Sequence, residues 1–171
     1  MGKLRKTILW GIAVCLLNVS CIVFHPEQYS RDEQGYYIKH YNACGPIALE
    51  KAFEALGDNS ANRVDLSREI QSEGNAVRIF AALFHHEALL ITLPSEMKKL
   101  CEKHGYEVVE LENMNQLKSE DVALVLIWGK IFKREAHWIV FPADTKIRKA
   151  EEWYGGYTQI GKIYLLKKIK F

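Results

Sequence analysis

The chain has 171 residues, 49% of them hydrophobic and 26% charged, which is enough for one domain with a real core and argues against a disordered chain. Its formal charge of +2 comes from the start: without Lys3, Arg5 and Lys6 the basic side chains fall from 23 to 20, against 21 acidic ones, and no electrostatic case for nucleic acid remains. The four cysteines, Cys15, Cys21, Cys44 and Cys101, form no C-x-x-C pair, and with no P-loop or dinucleotide glycine pattern the sequence calls for no metal or cofactor.

"GKLRK" precedes a stretch, residues 7–24, with no charge. As a helix it would span about 27 Å at 1.5 Å per residue, close to the hydrocarbon thickness of a bilayer. The basic cluster in front predicts a cytoplasmic N-terminus, with the rest of the chain outside. Three fates fit residues 1–24: an uncleaved signal anchor, a cleaved signal peptide, or a lipoprotein signal ending at Cys21. Small-x-small cleavage signals are missing, which favours the anchor. Asn18 weakens the lipoprotein reading, because Leu is usual three residues before the lipidated cysteine. The expected product is a membrane-anchored domain outside the cytoplasm, or a secreted one after cleavage.

The folded domain is expected over residues 25–171. Residues 25–43 are polar and aromatic and predict an extended lead-in. From Pro46, apolar Ile47, Ala48, Ala52, Phe53 and Leu56 fall at helical spacing and Gly57 stops the run. "SANRV" predicts a loop. "DLSREIQSEG" predicts a short helix capped by Asp65 or Ser67, and "NAVRIFAALFHHEA" another. "LPSEMKKLCEKHG" opens on Pro94 and closes at Gly105, again helical. Cys101 falls on its apolar side with Met97 and Leu100, which predicts core packing. Then the period changes. "YEVVEL", the continuous apolar run "VALVLIW", "HWIVF", "TKIRKAEE" and "YTQIGKIYLL" predict strands joined by tight turns. Helices first and strands later predict an α+β domain with an antiparallel sheet.

The chemistry is expected at Cys44 and His137. A helix N-terminus stabilises a thiolate through its free N–H groups and dipole, and an imidazolium adds to this. Cys44 stands at such a start, with Gly45 leaving the approach open and Pro46 suited to the first turn. His137 opens the strand "HWIVF". Among the other histidines, His85 and His86 fall within a helical pattern and His104 precedes a helix stop.

"NACGPIALEKAFEALG", "LPSEMKKLCEKHGYEV", "AHWIVF" and "EEWYGGY" together resemble the papain-like cysteine peptidases of the bacteriocin leader-processing type and their stand-alone relatives, over about residues 36–160. The resemblance implies a papain-like fold, with Cys44 attacking a peptide carbonyl and His137 acting as base and then acid through an acyl-enzyme. It also implies a third member before an aromatic, glycine-containing loop, which selects Glu151, with Glu152 as its alternative. Asp144 is nearer in sequence. A hairpin turning at "PADT" would put it about 15–20 Å from His137 at 3.3 Å per residue.

The resemblance implies an oxyanion hole made by the cysteine N–H and a glutamine six residues earlier. That position is Ile38, which cannot donate, and His40 and Asn42 are the nearest candidates. The leading expectation is an exported or membrane-tethered cysteine peptidase acting on peptides or proteins. Its alternatives are an inactive papain-like module that binds a peptide or surface partner, and a Cys-His amidase or acyltransferase. Trp138, Trp153, Tyr154 and Tyr157 could line a groove, with a core role expected first for Trp138.

Overall fold

The computed structural model describes residues 30–73, 91–129, 136–144 and 157–169, with backbone alone at 128–129 and 157–158. The apolar segment 1–24, the helix expected over "NAVRIFAALFHHEA", the strand expected over "TKIRKAEE", and Glu151, Glu152, Trp153 and Tyr154 lie outside the described residues. Among those residues, no helix is long and apolar enough to cross a membrane.

Residues 30–42 are more structured than an extended lead-in. Asp32 folds them into a turn, its Oδ1 accepting the N–H groups of Gln34 and Tyr36 at 2.9 Å each. Its Oδ2 accepts the Tyr41 hydroxyl at 2.5 Å and Arg68 Nη2 at 2.9 Å. A 3-10 turn, Ile38–Asn42, follows.

Helix α1 is Cys44–Ala55, α2 is Arg63–Ser72 and α3 is Pro94–Lys103. The cap of α2 lies earlier than Asp65 or Ser67, the two caps expected from the sequence. Asn62 is its cap, its Oδ1 accepting from the N–H groups of Val64 at 3.0 Å and Asp65 at 3.1 Å. Ser67 lies inside the helix and is buried. Pro94 opens α3 as expected, and the Glu96 carboxylate accepts the Leu93 N–H at 2.8 Å.

The strands are β1 Tyr106–Leu111, β2 Val122–Gly129, β3 Ala136–Phe141 and β4 Tyr157–Lys168. They form an antiparallel sheet in the order β1-β4-β2-β3, so the domain is α+β with its helices packed on the sheet. Central β2 is apolar at consecutive positions because both of its faces are covered. Leu124 and Leu126 join Leu49 and Phe53 of α1, Leu66 and Ile70 of α2, and Met97 and Leu100 of α3 in one core. Ala123, Val125 and Ile127 join Ile139 and Ile163 in a second cluster on the other face. Among the described strands β3 ends this order, and α1 packs against it.

Candidate active site

Cys44 is the first residue of α1. The cap residue Ala43 offers no side-chain acceptor to the helix mouth, and Pro46 has no N–H to offer. The thiol takes the acceptor's place: the backbone N–H groups of Cys44 itself and of Gly45 both act on its sulfur. A third N–H arrives from β3, that of Trp138. The Trp138 N–H belongs to the peptide unit that begins at the His137 carbonyl, so the sulfur lies one peptide unit from His137. The helix start and the strand that carries His137 are therefore neighbours.

Tight packing holds the two elements together. A Cβ added at Gly45 would lie 2.0 Å from Thr92 Oγ1, so the helix mouth approaches residue 92 as only glycine allows. The Trp138 indole N–H donates to the Thr92 carbonyl at 2.9 Å. Trp138 is 3% exposed and stacks near Tyr164, with ring centroids 5.9 Å apart. It is a core residue, as expected first, and the side chain of Tyr157 is not described.

His137 pairs with Ile127 across the ladder. It therefore shares a sheet face with Ile127 and Ile139, whereas Cys44 packs with the helical core. The Cys44 sulfur is reached from β3 by the Trp138 N–H, while the His137 side chain lies on the other sheet face. His137 is half-buried, and its ring feels two charges, Asp144 and Lys51.

Burial sets the resting protonation of both groups. It pushes the Cys44 thiol up against the three N–H groups that pull it down, and the net direction is up. It pushes the His137 imidazole down, with Asp144 opposing this and Lys51 adding to it. Both shifts favour the neutral forms. Both directions run against the thiolate–imidazolium pair expected from the sequence.

Asp144 lies closer than the hairpin argument placed it. Its turn folds the carboxylate back on the strand, so that Oδ2 accepts the Val140 N–H at 2.8 Å while its own N–H donates to the Val140 carbonyl at 2.7 Å. Val140 is three residues from His137, about 10 Å along a strand. The other oxygen binds Lys51 of α1 at 3.0 Å. Nothing in the sequence signals this pairing across 93 residues.

The two oxyanion candidates differ in burial. His40 is 0% exposed, and its Nδ1 lies 2.7 Å from Ser67 Oγ, which also accepts Gln71 Nε2 at 3.0 Å. Its ring serves to dock the 3-10 turn on α2. Asn42 is exposed at the end of that turn. Ile38, at the position of the expected glutamine, is 42% exposed. Among the described residues no group of His, Cys, Asp and Glu side chains could hold a metal ion.

Compared with protein families, curated proteins and solved structures, the chain finds no match.

Proposed function

We propose that the chain is a cysteine peptidase-type hydrolase on a papain-like version of this α+β fold, with Cys44 as nucleophile and His137 as general base. One observation carries the reading: a sulfur at an uncapped helix mouth, met by the N–H of the residue that follows a half-buried histidine. The resemblance of the Cys-Gly-Pro and His-aromatic-aliphatic segments supports it. The apolar N-terminal segment would tether the domain outside the cytoplasm, where its substrates would be peptides or proteins.

In the proposed reaction, the thiol proton passes to the neutral imidazole as sulfur bonds to the substrate carbonyl carbon. The carbonyl oxygen gains the negative charge, and the Cys44 N–H is the donor retained for it. The imidazolium then protonates the departing amine, leaving an acyl-enzyme on Cys44. Water attacks that thioester with His137 taking its proton, the carboxylic acid product leaves, and the proton passes back to the Cys44 sulfur. A resting thiol pushed upward and an oxyanion hole without the glutamine both make for slow turnover. One missing donor typically costs about 100- to 1,000-fold.

A second reading has its own support. Ile38 at the donor position and the upward thiol suit a module that binds peptides without cleaving them. The same pair would also serve an amidase or acyltransferase.

The test offers the full-length chain a mixed peptide library and follows both cleavage and the intact mass of the protein. Cleavage with an acyl adduct on Cys44, abolished in Cys44→Ala and reduced about 100- to 10,000-fold in His137→Ala, supports the hydrolase. Peptide retention with neither adduct nor products moves the assignment to the binding module.

A further inference from the structure

We infer that the Thr92 hydroxyl is the second oxyanion donor, the catalytic group that takes the place of the glutamine missing at Ile38. The inference deepens the hydrolase reading and rests on it, because only acyl transfer builds the charge that this donor would meet.

Two independent observations meet at the mouth of α1. The first is the helix start itself. Its cap residue supplies no side-chain acceptor, so the N–H groups there are left for a sulfur or an incoming oxygen. The second is Thr92. The residue is only 3% exposed, yet its buried Oγ1 has no hydrogen-bond partner among the described residues. A buried hydroxyl without a partner costs stability, and a catalytic role is one physical reason for keeping it.

The hydroxyl is aimed at the mouth. Cα–Cβ bonds on a helix tilt towards its N-terminus, and a Cβ built at Gly45 runs into Thr92 Oγ1 at 2.0 Å. The oxygen therefore stands on the N-terminal side of Gly45, no more than about 3.5 Å from its Cα and about 5 Å from its N at ordinary bond lengths. One acceptor oxygen can lie within hydrogen-bond reach of two donors that far apart. Gly45 permits the approach, since any side chain there would displace the hydroxyl. Thr92 is also held still: its carbonyl accepts the Trp138 indole N–H at 2.9 Å, from the strand that carries His137. A fixed, dry donor is what a developing negative charge needs. The hydroxyl keeps its proton throughout. It donates one hydrogen bond to the substrate oxygen while the Cys44 N–H donates another, and both weaken as the tetrahedral intermediate collapses.

The experiment compares two reactions of Cys44 in the full-length chain. With p-nitrophenyl acetate the sulfur bonds to the carbonyl carbon, the thiol proton passes to His137, an oxyanion forms, and p-nitrophenolate leaves as it collapses. With iodoacetamide the same sulfur displaces iodide from carbon, and no oxyanion forms. Mass mapping locates both adducts. In Thr92→Val the inference expects acylation to slow about 100-fold, while alkylation keeps the parent rate and the urea midpoint is no lower than the parent's. Thr92→Ser, which keeps the hydroxyl, should recover most of the lost acylation. An equal fall in both reactions would mean a displaced helix mouth and overturns the inference. So does a lower urea midpoint in Thr92→Val, because the hydroxyl would then have a structural partner. Failure of the hydrolase reading shows elsewhere, as acylation no slower in His137→Ala than in the parent, and it takes the inference with it. Acylation that slows in His137→Ala and is unchanged in Thr92→Val overturns the inference alone.

Discussion

Cys44 and Cys101 touch the same apolar core, one from each end of a helix. Cys44 opens α1, half-exposed at its edge, and Cys101 lies in the last turn of α3 with no exposure at all. Burial pushes both thiols up. At Cys101 little opposes it: Glu102 adds its charge, only the residue's own N–H helps, and the thiol rises to about 12. The C-terminal end of a helix is also the wrong end of the dipole for a thiolate. At Cys44 three N–H groups converge, one of them from a neighbouring strand. The difference between an inert cysteine and a candidate nucleophile is therefore which end of the helix it occupies and what crosses that end, with burial common to both.

The largest effect that could break this contrast is chemical. In the native full-length chain, alkylation followed by mass mapping should label Cys44 and leave Cys101 untouched until the protein is unfolded. Equal labelling of the two would remove the distinction. Because burial shifts both groups towards their neutral forms, the Cys44 labelling rate should climb with pH beyond the ordinary thiol range near 8.5. A plateau already reached at pH 6 would mean that a preformed ion pair survives burial.

Next in size is the seat of the helix mouth. Gly45→Ala drives a methyl into Thr92 and should cost about 1–3 kcal/mol by overpacking, read as a lower urea midpoint. It should also slow Cys44 labelling or turnover, because the mouth must move. Cys101→Ala, by contrast, should cost about 1–2 kcal/mol as a small cavity and leave the chemistry at Cys44 alone. A loss of stability without any change at Cys44 in Gly45→Ala would detach the mouth from the site.

A comparable but purely structural loss is expected at α2. Asn62→Ala removes its cap and should cost about 1 kcal/mol with no effect on labelling. The smallest effect is at the lead-in. Tyr41 first, then the Tyr36 N–H and Arg68, hold the Asp32 carboxyl at about 2, below its ordinary 3.8. Its folded value is depressed, so its contribution is complete above pH 3.8 and fades as pH falls towards 2. Stability measured from pH 5 to pH 2 should therefore drop less steeply in Asp32→Asn than in the parent.

Much of the fold was legible because its signals are local. "YEVVEL" is β1 residue for residue, and the apolar run of β2 needs two covered faces, which the sheet supplies. Pro94 and Gly105 bound α3 closely, and Cys44 and Pro46 mark the start of α1. The start of α2 was missed because Asp65 and Ser67 also have capping side chains, and only the backbone path shows that Asn62 is the one turned towards the free N–H groups. The site divides in the same way. The helix mouth and the strand were readable as motifs. The resting charge of Cys44 and His137 was not, because it depends on how deeply folding buries them. The strand-length argument against Asp144 is defeated by a turn that folds its carboxylate back onto Val140. His40 and Asn42 were proposed for being near Cys44 in sequence, and the 3-10 turn sends one inward and the other out.

The placement of β3 at the end of the order, among the described strands, has a consequence for solubility. An edge strand presents unpaired backbone groups that can recruit a strand from another molecule. Here two alternate positions of that edge are already engaged: the Trp138 N–H by the Cys44 sulfur, and the Val140 N–H and carbonyl by Asp144. The candidate nucleophile and the Asp144 turn thus also shield the edge, and variants that remove them should be watched for self-association as closely as for lost activity.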